Sequence, residues 1–314
     1  MNVLGELKIL RAGPQCLLQD LGRTHVQDIG FCQSGAADEH AFLWANKLLD
    51  NNANCAALEI TFGPFEAEFN INTRIAICGA AKSAYINDKQ ISAWVSLPVE
   101  PGDRLRIENF SNGVLTYLAI QNGFRFSPTE RETPPFKSNA MSPREHSGPN
   151  NGKPFKSGDS IFYPILESPS RKTFFAPARF VADYRQKLNL NFVPNPSIPY
   201  SELTQICQQE FKVHPNSNRM AYRLSFGSDV TFPQTSQRSS GTPYGTIQLT
   251  PNGDVLVLMK DRQTIGGYTT LGCVRHLDLF SLSQRRAGDT IKLFPTDVKK
   301  AQEKLLSFYR FFRT

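Results

Sequence analysis

Ser157-Gly-Asp-Ser-Ile-Phe-Tyr-Pro164 returns later in the chain as Ala287-Gly-Asp-Thr-Ile-Lys-Leu-Phe-Pro295. Both stretches carry a Gly-Asp turn, an alternating strand and a proline stop, the pattern of a repeated structural unit. Each reads as the closing strand of a β-domain. The 314 residues therefore divide into two domains, 1–168 and 169–314, with the boundary at Leu166-Glu-Ser-Pro-Ser-Arg-Lys172.

The segments around these echoes are short and rich in branched and aromatic residues. Arg74–Cys78, Arg104–Glu108, Val114–Ile120, Tyr222–Phe226 and Asp254–Met259 read as strands. Asn87-Asp88, Pro101-Gly102-Asp103, Asn122-Gly123 and Pro251-Asn252-Gly253 supply turns between them. Many short strands joined by tight turns predict a mainly β protein built of barrels or sandwiches. Helices are few. Asp38 caps one that runs to Asp50, and Ser201 caps a second. A terminal helix has Val298, Ala301, Leu305, Phe308 and Phe312 on one face, the spacing of a helix laid on a barrel. Residues 126–158, rich in Pro, Ser, Asn, Gly and Lys, predict a long surface excursion late in the first domain.

Composition excludes several classes. A hydrophobic fraction of 40% rules out a disordered chain. No apolar run reaches the ~20 residues that a membrane helix needs. The net charge of +7 invites anionic partners. The basic residues are scattered, however, without the stripe or aromatic platform that nucleic acid requires, so no nucleic-acid partner is expected. The six cysteines never fall at C-x-x-C spacing, and no signal peptide precedes the first strand-like segment, which predicts a reducing, cytoplasmic setting. The five histidines are scattered, and no metal site is predicted. Gly148-Pro-Asn-Asn-Gly-Lys153 has the wrong spacing for a phosphate loop and runs into Pro154. No dinucleotide fingerprint or nucleophile elbow is present.

Three polar clusters sit where strands meet turns. In the first, Gln19-Asp-Leu-Gly-Arg23 is followed by Gln33-Ser-Gly-Ala-Ala-Asp38, and Gly22 and Gly35 permit tight turns that expose Ser34 and Asp38 at a helix start. Helix capping explains Asp38 as well as function does. The second, Asn216–Arg223, puts Asn218, Arg219, Tyr222 and Arg223 on a loop feeding a strand, where guanidinium and amide groups suit a carboxylate or phosphate, as a solvated loop also would. The third, Asp261-Arg-Gln-Thr-Ile-Gly-Gly-Tyr268, leaves an apolar strand abruptly, which is costly unless its polar groups are paired or used. Gly266 and Gly267 would admit a ligand close to the backbone, and function outweighs structure here.

These clusters in this order, with Leu10–Gln15, Ala57–Thr61 and Ile77–Ala80, mark a resemblance to the biotin-dependent carboxyltransferase, or allophanate hydrolase subunit 2, family, which includes KipA, the C component of 5-oxoprolinase and the matching domain of urea carboxylase. The resemblance implies tandem cyclophilin-like β-barrel domains with a few short helices. It implies a hydrolase component: an ATP-dependent 5-oxoprolinase acting beside a KipI-like (allophanate hydrolase subunit 1) and a LamB/YcsF-like subunit on a small lactam, with ATP bound by the complex rather than by this chain. One alternative is a carboxyltransferase taking the carboxyl group from carboxybiotin to urea or a similar amide. Another is a non-catalytic regulator binding a KipI-like kinase inhibitor.

Carried over residue by residue, the resemblance implies a catalytic set of Asp261, Arg219, Arg262 and Gln263. The implied substrate-binding set is Ser34, Asn218, Tyr222, Thr264, Gly266, Gly267 and Tyr268, with Glu59 and Gly79 in support. Arg219 and Arg262 would hold an anion, Asn218 and Gln263 would donate to an oxyanion, and Asp261 would handle a proton. The chain departs from the family pattern at Gln33, Ala37, Lys82, Ala182–Tyr184, Ala221, Ile265 and Thr269.

Overall fold

The computed structural model describes residues 4–108, 110, 113–128, 134–167, 170–226 and 238–313. It is mainly β, with four helices among the described residues, in agreement with the fold class expected above. The chain forms two compact units, one of residues 1–23, 34–184 and 314, the other of 24–33 and 185–313. The division thus falls sixteen residues later than the expected 168/169, and residues 24–33 join the second unit. The reason lies in the first unit's own contacts. Phe174–Phe175 pairs with Val95–Val99, and the Tyr184 hydroxyl donates to Asp38 Oδ2 at 2.6 Å, so the chain remains bound to the first unit up to Tyr184.

The first unit contains two six-stranded sheets. One runs Ser160–Pro164, Leu4–Arg11, Phe65–Phe69, Arg104–Ile107, Ala84–Ile86, Lys89–Ile91. The other runs Phe174–Phe175, Val95–Val99, Thr73–Gly79, Leu115–Ile120, Ala57–Thr61, Gln15–Gln19. Thr73–Gly79 and Leu115–Ile120 are buried along their whole length because the helix Glu39–Lys47 packs on them. Asp38 caps that helix as expected, accepting from Ala41 N at 3.1 Å, although the helix stops at Lys47 rather than Asp50.

The second unit is a closed barrel in the order Leu188–Pro194, Thr269–Val274, Thr246–Leu249, Val255–Leu258, Ala221–Ser225, Phe211–Val213, Thr290–Pro295. The closing pair, Leu188–Pro194 with Thr290–Pro295, is parallel, and every other neighbouring pair is antiparallel. Leu190, Phe192, Leu224, Ile247, Val257 and Leu293 fill its interior. The helix Tyr200–Gln208 begins after Pro199, with no side-chain cap, so Ser201 lies inside the helix instead of capping it. A further helix, His276–Leu282, has no counterpart in the sequence pattern. In the terminal helix Val298–Phe312, capped by Asp297, Phe312 is buried and Phe308 meets Phe280 at 5.4 Å. Val298, expected on the same packed face, is 50% exposed, because a residue in the first turn overhangs the end of the surface it would cover.

The two sequence echoes have the same backbone geometry. Gly158 and Gly288 have φ of 94° and 90°, and each following aspartate accepts from the backbone N–H three residues back, Lys156 N at 2.7 Å and Arg286 N at 2.9 Å. Each turn is also tied to an adjacent strand: Gly158 N donates to Ile9 O and Gly288 N to Val213 O, both at 2.8 Å. The excursion, by contrast, is not confined to the surface. Ala140 and Met141 are fully buried and Phe155 is 3% exposed, because Met141 and Leu18 exchange bonds, Met141 N to Leu18 O at 3.0 Å and Leu18 N to Met141 Sδ at 3.1 Å. The part of it at 129–133 lies outside the described residues.

The His40 ring lies against Trp94 in a tilted contact, centroids 5.4 Å apart. Burial lowers its pKa from the ordinary 6.5, with Asp38 pulling in the opposite direction. A histidine with a depressed folded pKa binds protons more readily when unfolded. Its contribution to stability is therefore present above about pH 6.5 and is lost as the pH falls below that value. Thermal unfolding followed from pH 7.5 to 5.5 should show a drop in Tm that is smaller in His40→Gln; parallel curves for the two proteins would refute this.

Candidate functional site

Two of the three polar clusters prove to be one structure. The strand Val255–Leu258 pairs with Ala221–Ser225, and the ladder runs on irregularly past its Ala221–Leu258 end, with Met259 N on Met220 O and Asp261 N on Arg219 O, each at 2.8 Å. This extension sets Arg219 opposite Asp261. Arg219 Nε donates to Asp261 Oδ2 at 2.9 Å and Nη2 to Oδ1 at 3.1 Å, a two-pronged pair. The side chains are 13% and 3% exposed. With both carboxylate oxygens held in this way, the pair accounts for much of the polarity that the sequence leaves unexplained after the apolar strand.

Arg262 is 3% exposed. Its Nε donates to Thr242 O at 2.8 Å, and its guanidinium lies 5.7 Å from the centroid of the Tyr244 ring. Burial lowers its pKa, against the upward pull of Tyr244, Cys32, Cys273 and Asp261, and the group stays charged. Lys260 Nζ sits 4.8 Å from the same ring, so one aromatic face system serves two buried cations.

Thr242 anchors the stretch that follows. Its hydroxyl donates to Gln263 O and its N–H to Thr264 O at 2.9 Å. Ser240–Gly241 then pairs with Ile265–Gly266. At Gly266 a side chain would collide with amides: a Cβ there would lie 2.9 Å from Gln248 Nε2 and 3.2 Å from Gln263 Nε2. The Gln248 and Gln263 carboxamides thus both lie close to Gly266. Gln248 is 1% exposed, and its Oε1 has no hydrogen-bond partner among the described residues. Beside Ser240–Gly241 opens a cavity of about 370 Å³, whose lining includes Thr246, Thr270 and Cys273. Burial raises the Cys273 thiol, with Arg262 opposing.

The other candidates have structural partners. Asn218 Oδ1 accepts from Met220 N at 2.8 Å, the turn-capping use of an exposed loop asparagine. The Tyr222 hydroxyl donates to Ser283 O at 2.9 Å and is buried beneath the residues that follow His276–Leu282. Thr264 and Gly267 are half-buried, and Tyr268 is 43% exposed.

Ser34, Glu59 and Gly79 belong to the first unit. Ser34 and Asp38 are fully buried, not exposed at the helix start as the turn pattern suggested, since Gly35 brings its chain against Gly22: a Cβ on Gly35 would lie 2.7 Å from Gly22 N. Ser34 Oγ donates to Met141 O at 3.2 Å. Glu59 Oε2 accepts from Ala37 N at 2.9 Å and from the Tyr117 hydroxyl at 2.6 Å, which fastens the helix entry. Burial, then the charges of Glu59 and Asp38, raise the Tyr117 pKa far above its ordinary value, so it stays a donor. Gly79 has φ 115°, and a Cβ would lie 2.5 Å from Leu115 O, so strand pairing explains it. Sequence reasoning missed Gln248, Thr242, Tyr244 and Lys260. A signal existed for Gln248, a carboxamide in Thr246-Ile-Gln-Leu249 that is buried on the strand face opposite the core residues Ile247 and Leu249.

Among the described residues no group of three or more His, Cys, Asp or Glu is placed to hold a metal ion, and no helix is long and apolar enough to cross a membrane. What the second unit does offer is a concentration of amide and guanidinium groups on neighbouring segments, with Gln248, Gln263 and Arg262 outside the lining of the cavity. Residues 29–295 match the family described as carboxyltransferase domain, subdomain A and B, and the chain belongs to that family.

Among its relatives is the C component of 5-oxoprolinase from Escherichia coli (strain K12), 31% identical over 98% of this chain and 96% of that protein. The putative urea carboxylase of Emericella nidulans is 27% identical over 94% of this chain but only 24% of its own length. Among solved structures, TTHA0988 superposes with a TM-score of 0.81 at 26% identity, over 93% of this chain and 55% of that one. The Kluyveromyces lactis urea carboxylase gives 0.86 at 24% identity over 98% and 29%, a likeness of fold. The chain thus spans about half of TTHA0988 and under a third of that carboxylase.

Removing Asp261 from the pair leaves the half-buried Arg219 without its counter-charge. Asp261→Asn should destabilise the protein by about 3 kcal/mol in urea unfolding. The double variant Arg219→Met/Asp261→Leu should recover most of that loss, and additive losses would show that the pair is not coupled.

Proposed function

We propose that the chain is a component of an ATP-dependent 5-oxoprolinase, turning 5-oxoproline into glutamate together with KipI-like and LamB/YcsF-like subunits. The observation that carries this reading is the end-to-end likeness to the 5-oxoprolinase C component, covering 98% of this chain and 96% of that protein. A likeness over the whole of both chains supports a shared place in such an assembly, as well as a shared domain.

The chemistry supports the same reading. Opening a lactam places negative charge on the carbonyl oxygen, and a site that helps must aim fixed donors at that oxygen. Gln263 and Gln248 converge on Gly266, and Arg262 is held beside them by Thr242 and Tyr244. In this proposal the carboxamides donate to the lactam oxygen and Arg262 supplies the positive field. Arg219 and Asp261 act as a brace, since their charges are already matched to each other. ATP serves as co-substrate, bound by the complex rather than by this chain alone, and its hydrolysis supplies the free energy for ring opening.

Carboxyl transfer is the second reading, favoured by the family match and by the putative urea carboxylase of Emericella nidulans. It needs a biotin carrier supplied by another protein. Mixing the three proposed subunits with ATP and 5-oxoproline should release glutamate, whereas this chain alone should release none. Arg262→Gln should lower kcat of the mixture by about a hundredfold. Turnover that requires a biotinylated carrier would favour carboxyl transfer. Binding of the KipI-like protein without any turnover would make the chain a regulator.

A further inference from the structure

The first unit buries a positive charge that its own residues do not match. Arg23 is 2% exposed. Its Nη2 donates to Ala140 O, while Nε and Nη1 meet no acceptor among the described residues. A buried guanidinium needs acceptors for its N–H groups. Asp20, three residues earlier, does not answer it. Its oxygens accept from Gly22 N at 2.8 Å, Ser138 Oγ at 2.7 Å and Asn139 N at 2.6 Å.

Gln19 shows the complementary deficit. It is fully buried, its Nε2 donates to Met141 O at 2.8 Å, and its Oε1 has no partner among the described residues. The amide orientation is fixed by that bond, since reversing it would set two acceptors face to face. Ser34 Oγ reaches the same carbonyl at 3.2 Å. Two unmatched donors on Arg23 and one unmatched acceptor on Gln19 thus lie under one strap, Ser138–Ser142, on side chains bonded to its adjacent carbonyls. Unmatched buried polar groups are costly, and a cluster of them with opposite needs describes a ligand.

We infer that Arg23 and Gln19 form a binding site for a small carboxylate that also carries an N–H donor. The carboxylate oxygens take Arg23 Nε and Nη1, and the ligand N–H bonds to Gln19 Oε1. The ligand enters by displacing the strap at Asn139–Met141, which breaks its bonds to Leu18 as well as those to Asp20, Gln19, Ser34 and Arg23. Lactam acids have this combination of groups, so the choice of 5-oxoproline as a probe rests on the function proposed above.

Calorimetric titration of the full-length chain with three probes tests the assignment. The probes are 5-oxoproline, with both groups; cyclopentanecarboxylate, with the carboxylate alone; and 2-pyrrolidinone, with the N–H alone. The wild type should bind 5-oxoproline at least about tenfold more tightly than either of the others. Arg23→Gln should lose about tenfold or more for both acids, and Gln19→Leu should bind the two acids equally. Should Arg23→Gln fail to fold, the Gln19→Leu comparison still decides, because an unchanged preference for 5-oxoproline overturns the site. Cyclopentanecarboxylate binding that depends on Arg23, with no binding of 5-oxoproline, would support the carboxylate half and overturn the lactam reading. Glutamate release by the assembled subunits, with all acid binding indifferent to Arg23, would overturn this site and leave the proposed function standing.

Discussion

The Gly-Asp turn at 158–159 and again at 288–289 is the constraint on which both units depend. A glycine at positive φ reverses the chain, and the aspartate closes the turn by accepting a backbone N–H three residues back. The glycine N–H is bonded to a neighbouring strand, so the turn fixes the register of everything after it. In the first unit it delivers Ser160–Pro164 onto Leu4–Arg11, and in the second it delivers Thr290–Pro295 into the gap between Phe211–Val213 and Leu188–Pro194. Without that last strand the barrel has an open edge, and the wall that carries Arg219, Asp261 and Gln248 loses its closure.

Charge in the second unit follows from the barrel. The apolar strand Val255–Leu258 ends inside the protein rather than at its surface, so Lys260, Asp261 and Arg262 emerge into a buried setting and each needs an answer. Asp261 meets Arg219 by an extension of the strand ladder, Arg262 finds the Thr242 carbonyl, and Tyr244 lies against both cations. The carboxamides of Gln248 and Gln263 lie near Gly266, which has no side chain in their way. The departure Ile265, 63% exposed, points away from this gathering, and so does little to disturb it.

Local chemistry was legible in the sequence, and chemistry between distant segments was not. The Gly-Asp echoes, the Asp38 cap and the strand cores could be read because each is settled within a few residues. Strand ends shifted by a residue, as with Tyr222–Phe226 becoming Ala221–Ser225, since a ladder stops where its partner stops. The membership of residues 24–33 in the second unit has no local signature at all. Among site residues, Asp261 and Arg262 stood out by their abrupt polarity. Tyr222 looked equivalent, but its hydroxyl is taken by the carbonyl of Ser283, sixty-one positions on. Gln248 was hidden by its strand, where a single carboxamide among apolar neighbours reads as an ordinary interruption.

The parallel closing pair also sets an order of events in synthesis. Leu188–Pro194 gains its parallel partner only when Thr290–Pro295 has been made, roughly a hundred residues later. Contacts so far apart in sequence form slowly, because the intervening loop must lose its freedom before the pairing repays it. At an elongation rate of about 5–20 residues per second, Leu190 and Phe192 wait on the order of 5–20 s without their final neighbours. The nascent second unit therefore passes through a stage in which its earliest strand is an apolar edge, and that stage is its period of greatest exposure to chaperones and to misassociation.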